Sequence, residues 1–188
     1  MYVNHYRQLN KTRARRMAGG AVVEMALFLP FLLILLFGVV DFARAIHFDN
    51  ILVHISREGA NLASRSKNTP PQNIITALTQ TAEPLDIQRD GMIYITEIVG
   101  QPNGMGRIQK QARSAQGNQS LNSRIWTCPA WNGDNTCQIA NGQGPLIDLG
   151  VPLADQEIVQ AVETQYEYDM LINFITNRGP ELYALTVL

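Results

Sequence analysis

An α+β fold follows from three features of the 188-residue sequence. An apolar run near the N-terminus continues into a helical stripe, four later segments have strand character, and a loop-rich stretch between them holds both cysteines. The expected architecture is a long N-terminal transmembrane helix that continues as an amphipathic helix and packs on a small antiparallel β-sheet. The length suits one modest domain plus an accessory segment. Hydrophobic residues make up 46% and charged residues 16%. The charged share lies below the roughly 25% usual for soluble domains, so an apolar block dilutes the average, and the apolar content excludes a disordered chain.

Taken in order, the chain begins with a basic tract. Arg7, Lys11, Arg13, Arg15 and Arg16 stand without an acid before residue 20, so the remainder carries a net charge of -6 although the whole sums to -1. A basic tract can bind nucleic acid, but one placed directly before an apolar run orients a membrane segment, and no nucleic-acid partner is expected. Residues 21–40 read AVVEMALFLPFLLILLFGVV with one charge. About 20 helical residues cross a hydrocarbon core of roughly 30 Å. A core helix apolar on every face would need a domain wrapped wholly around it. A cleaved secretory signal ending at Ala43-Arg44-Ala45 would be about 45 residues long, and its apolar core would contain Pro30. The expected division is a basic cytoplasmic leader over 1–19, a transmembrane helix over 20–45 and an extracytoplasmic domain over 46–188.

Glu24 does not fit an apolar span. A carboxylate in hydrocarbon costs about 3 kcal/mol without compensation, whereas one in the headgroup layer at a helix N-terminus gains a fraction of that from the macrodipole. Its setting is specific: Gly19-Gly20-Ala21-Val22-Val23-Glu24-Met25 follows the basic tract. This resembles a type IV prepilin processing motif, in which a membrane peptidase cuts after the glycine and leaves glutamate at the fifth mature position. Cutting between Gly19 and Gly20 meets that spacing, and cutting after Gly20 does not. From Val23 to Ala45 the sequence VEMALFLPFLLILLFGVVDFARA resembles the N-terminal signature of the TadE-like pseudopilins of the tight-adherence (Tad) pilus. Shared features run from about Arg15 through Pro30, Phe37-Gly38 and Phe42 to Arg44, while Met25 stands where the family usually has an aromatic.

Beyond the span, Phe48, Leu52, Ile55, Gly59 and Leu62 recur at three- and four-residue steps, extending the helix to about Arg65 as a packing stripe. Over roughly 45 residues such a helix measures about 68 Å. Lys67-Asn68-Thr69-Pro70-Pro71 ends it, and 72–82 suits a short second helix. Met92 to Val99 reads as a strand, joined by a turn over 100–104 to a weaker strand over 107–113. Residues 114–156 read as loop. Glu157 to Asp169 and Glu181 to Leu188 complete the strands.

Cys128 and Cys137 lie nine positions apart, which in an oxidising compartment reads as a disulfide. Closing such a loop contributes about 2.7 kcal/mol in the chain-entropy account. Trp126 and Trp131 beside it form either a partner contact or, as preferred, local packing over the bridge. No metal site is expected: there is no second cysteine pair, and His5, His47 and His54 are remote. Catalysis of the Ser-His kind lacks a base, since no histidine follows residue 54. Glu163, Gln165, Glu167 and Asp169 share a strand face, with Glu167 and Asp169 about 7 Å apart, a spacing glycosidases use. The preferred reading is a solvated face opposite Val162, Thr164, Tyr166 and Tyr168. No catalytic residue and no cofactor is therefore expected.

The resemblance implies a pilin-like structural protein, a minor pilin or pseudopilin of a Tad-type adhesive pilus. It also implies a place in the bacterial inner membrane, a single pass with the N-terminus cytoplasmic and the domain periplasmic. The partners are then a prepilin peptidase, other pilins and pilus assembly proteins, with Glu24 active in assembly. The alternative is an unprocessed membrane-anchored binding module whose outer domain meets a ligand or partner protein.

Overall fold

A computed structural model describes residues 3–66, 68–140, 143–171 and 179–188, with only the helical backbone described for 3–19. The basic tract's side chains, Gly19 beyond its helical backbone, and Lys67 lie outside the described residues. The chain forms two compact units, Met1–Ala43 and Arg44–Leu188. Helix α1 spans Val3–Arg65, ending where the proline pair predicts. Helices α2, Pro71–Gln80, and α3, Ile87–Asp90, follow. Among the described residues there are five strands: β1 Gly91–Gly100, β2 Gly106–Arg113, β3 Leu146–Ile147, β4 Ile158–Glu167 and β5 Glu181–Val187. They form one antiparallel sheet in the order β3-β2-β1-β4-β5. The long helix on a small antiparallel sheet is the architecture the sequence predicts.

Two short elements escape the sequence reading. Helix α3 has four residues and is held by Asp86, whose Oδ1 accepts the Arg89 N–H at 3.2 Å. Strand β3 has two residues and pairs with Gly106 and Arg107 at the sheet's edge. Neither is long enough to show a period.

In the second unit, one face of the sheet packs on the outer half of α1. Leu52, Ile55, Ala60 and Ala63 meet Ile93, Ile95 and Val162, with α2 adding Ile74, Ile75 and Leu78. Burying aliphatic side chains of this kind contributes roughly 1.5–3 kcal/mol each before entropy is counted. The expected stripe holds from Phe48 to Gly59, but Leu62 stays exposed and Ala63 takes the buried position. There a methyl fills the buried position, in the core that α1, α2 and the sheet share and approach closely.

Gly59 permits that approach. A Cβ at this position would lie 2.8 Å from Leu78 Cδ1 and 3.0 Å from Val162 Cγ1. The β1–β2 hairpin needs Gly104 for a different reason, its φ of +79° in the turn, where the Gly104 N–H bonds to Gln101 O at 2.8 Å. A bulge follows: Glu97 faces Lys110 and Ile98 faces Ile108, leaving Gln109 as the extra residue.

Gly59→Val should lower the stability of the outer domain by about 1–3 kcal/mol through overpacking against Leu78 and Val162. Chemical denaturation followed by tryptophan fluorescence measures this, and an unchanged midpoint contradicts the close packing described.

Candidate functional site

Two regions carry the features singled out in the sequence. The first is the N-terminal half of α1 from Gly20 onward. It is the one helix among the described residues long and apolar enough to cross a membrane, and none of its most apolar stretch is buried. Phe28 is 70% and Val39 71% exposed. Surface of this kind on a soluble domain would aggregate, and it suits lipid or packed helices. Glu24 is exposed among Val22, Val23 and Met25. Pro30 lies inside the helix, which membrane helices tolerate. At the start of the second unit the Arg44 guanidinium sits 5.7 Å from the centre of the Phe48 ring and 5.8 Å from that of Tyr168. The cation is thereby held over aromatic faces rather than left free.

The second region is the sheet face opposite α1, covered by the segment from Asn118 to Cys137. Cys128 and Cys137 are bonded, with Cα atoms 5.8 Å apart. Bridges from Trp131 to Cys137 and from Ala112 to Thr136 lay the loop along the edge of β2. Trp131 is half-buried against its own domain, its ring 6.1 Å from Tyr94 and 4.5 Å from the Arg113 guanidinium. Trp126 packs beside Ile98, Ile108, Val159 and Ala161. Both rings rest on the sheet.

The expectation of a solvated face on β4 is overturned here. Glu163 and Gln165 are fully buried beneath the loop segment. Glu163 survives burial because its oxygens are filled: Oε1 accepts from the Arg124 N–H at 2.8 Å, the Ile125 N–H at 3.3 Å and the Tyr183 hydroxyl at 3.0 Å, and Oε2 accepts from the Ser123 hydroxyl. The Gln165 amide donates to Asn122 O at 2.9 Å, and Gln111 donates to Ser123 Oγ and Trp126 O. Tyr94 donates to Leu121 O at 2.7 Å. Burial pushes the Tyr94 hydroxyl up to about 12. Burial, aided by the Glu163 charge, also raises Tyr183, so both phenols remain donors through the ordinary pH range. Arg124 completes the cluster, 4.3 Å from the Tyr183 ring centre and 2.9 Å from Glu181.

The sequence reading missed Glu163, Ser123, Tyr183 and Arg124 as a group. No local signal marks them, because the alternation along β4 reads as a polar face and the groups that cover Glu163 come from a loop some forty residues earlier. Of the two carboxylates weighed for hydrolysis, Glu167 ends β4 and accepts from Asn118 at 2.8 Å, while Asp169 lies beyond the strand. Among the described residues no three His, Cys, Asp or Glu side chains are grouped to hold a metal.

Comparison with known proteins yields one finding. Residues 19–61 match the family of TadE-like proteins. The match begins at the glycine singled out for processing and ends within α1, leaving residues 62–188 outside it. Comparisons with curated proteins and with solved structures gave no significant match. Over its N-terminal segment, then, the chain is similar to TadE-like proteins, and the apolar helix there is of a length and composition that can anchor it in a membrane.

Glu163→Ala should destabilise the outer domain by about 3 kcal/mol, because one buried and three part-buried donors lose their acceptor. Urea denaturation of the oxidised protein measures it, and a loss below about 1 kcal/mol contradicts the clasp.

Proposed function

We propose that this chain is a minor pilin or pseudopilin that takes part in assembling a Tad-type adhesive pilus. The observation that carries the reading is the joint placement of three features: a TadE-like match opening at Gly19, Glu24 in the fifth position after it, and an apolar helix starting at once. A prepilin peptidase cuts after Gly19 and removes the basic leader 1–19. The remaining chain sits in the bacterial inner membrane by residues 20–45, with residues 46–188 in the periplasm. The five basic residues ahead of the span favour a cytoplasmic N-terminus, and a Cys128–Cys137 disulfide suits an oxidising compartment. In this reading the protein is a substrate of the peptidase and a structural partner of other pilins and assembly proteins.

N-terminal analysis of the protein recovered from cells tests processing, and the expected start is Gly20. A start at Ile46 would instead mark a secretory signal, and an intact Met1 or Tyr2 an uncleaved anchor with a binding role.

Cleavage gives Glu24 a chemical task. The new amine at Gly20 lies one helical turn away, and a carboxylate in an apolar layer is stabilised by pairing with such an amine in its own chain or a neighbour's. The pair then fixes how the helix registers among other pilin helices, without bearing on the outer domain. Glu24→Ala should leave cleavage and the disulfide intact while impairing pilus-dependent adherence. Wild-type adherence together with normal co-recovery with the pilus machinery contradicts this role.

A further inference from the structure

The two edges of the sheet are treated differently. On one side, β3 is two residues long, and the outer groups of β2 are occupied: the Ile108 N–H bonds to Pro145 O, the Cys137 N–H to Gln111 O and the Arg113 N–H to Asn135 O. The other edge is β5. Gln160 and Leu188 exchange both main-chain bonds, at 2.6 and 3.0 Å, and the Tyr168 N–H bonds to Pro180 O at 3.1 Å. With Val162 opposite Thr186, Thr164 opposite Ala184 and Tyr166 opposite Leu182, the even-numbered residues of β5 bond to β4. The N–H and C=O groups of Tyr183, Leu185 and Val187 therefore point outward, and they meet no partner among the described residues.

The strand's own residues also lack the usual protective types. From Leu182 to Leu188 there is no charge, proline or glycine, and Leu185, Val187 and Leu188 are exposed. Edge strands left bare in this way invite another strand. We propose that β5 is a docking edge that accepts an extended segment of a different polypeptide as a sixth strand. The chemistry of the occupant follows from the edge. Its main chain must be extended to meet donors and acceptors at every second residue. It carries apolar side chains beside Leu185 and Val187 and a polar one at the other end, where the Arg124–Glu181 pair, about half exposed, provides complementary charge.

A second copy of this chain is the wrong occupant. Phe48 packs on Tyr166 and Tyr168, Leu52 O accepts the Thr164 hydroxyl at 3.1 Å, and Gly59 lies at Val162, so the outer half of α1 runs antiparallel to β4 and parallel to β5. Antiparallel β5–β5 pairing about a two-fold axis would point the N-terminal ends of the two outer helix halves in opposite directions. Chains that share one membrane must enter their domains from the same side. The inference needs a membrane anchor but not the pilus reading.

Residue-resolved amide hydrogen exchange tests it, comparing the full-length chain in native membranes with the same chain purified alone in detergent. The amides of Tyr183, Leu185 and Val187 should exchange at least about tenfold more slowly in the membranes, while those of Leu182, Ala184 and Thr186 are slow in both. Leu185→Pro removes an outward N–H without breaking a bond to β4, and Leu185→Lys places a charge on the edge. Each should abolish the difference at Tyr183 and Val187. Equal exchange in the two preparations overturns the proposal, as does slowing that persists in either variant. Protection gained by the purified chain at high concentration assigns the edge to self-association and overturns the choice of partner.

Discussion

A carboxylate buried in a sheet must be either neutralised or fully hydrogen-bonded, and Glu163 is the point where this domain meets that demand. Its two oxygens take two hydroxyls and two main-chain N–H groups, three of the four from the consecutive residues Ser123, Arg124 and Ile125. Those residues belong to a stretch with little regular structure of its own. The carboxylate thus does for 118–126 what a strand partner would do: it supplies acceptors at fixed positions and so fixes the path of the loop. Once the loop is placed, Leu121 closes over Met92 and Tyr94, and Trp126 over Ile98 and Val159. The disulfide acts further along, holding the turn that brings Thr136 and Cys137 alongside β2.

The result is a small sheet covered on both faces by unlike means. Aliphatic packing against α1 and α2 covers one face, where Gly59 lets the helix settle close to Val162. A polar clasp and a cystine-closed loop cover the other. The large apolar side chains from Val22 to Val40 belong to the other unit and are exposed there. The similarity to TadE-like proteins falls on 19–61, which includes the apolar stretch of a length and composition that could anchor the chain in a membrane.

Legibility in the sequence followed periodicity. The end of α1 at Arg65, the short second helix and four of the strands could be read because their apolar residues recur at helical or strand spacing, or because proline and glycine bound them. Helix α3 and strand β3 were too short to carry a period. Leu62 was misread because its spacing fits the stripe, while which of two neighbouring positions turns into the core is settled only by tertiary packing. The face of β4 was misread more seriously. Alternation with Val162 and Thr164 suggests water opposite, and only the fold of a loop some forty residues earlier puts Ser123 and Arg124 over Glu163. Gly19, Gly20 and Glu24 stand out by linear spacing rather than by three-dimensional contact, and the roles proposed for them rest on that spacing.

As proposed, the chain is a part of a pilus and not a free-standing binding protein. Counting surface pili on cells that lack the chain, with and without the wild-type copy restored, measures this most directly. Pili should be lost or sharply reduced in the deletion and return with the restored copy. Normal numbers of pili with unaltered adherence in the deletion would contradict it.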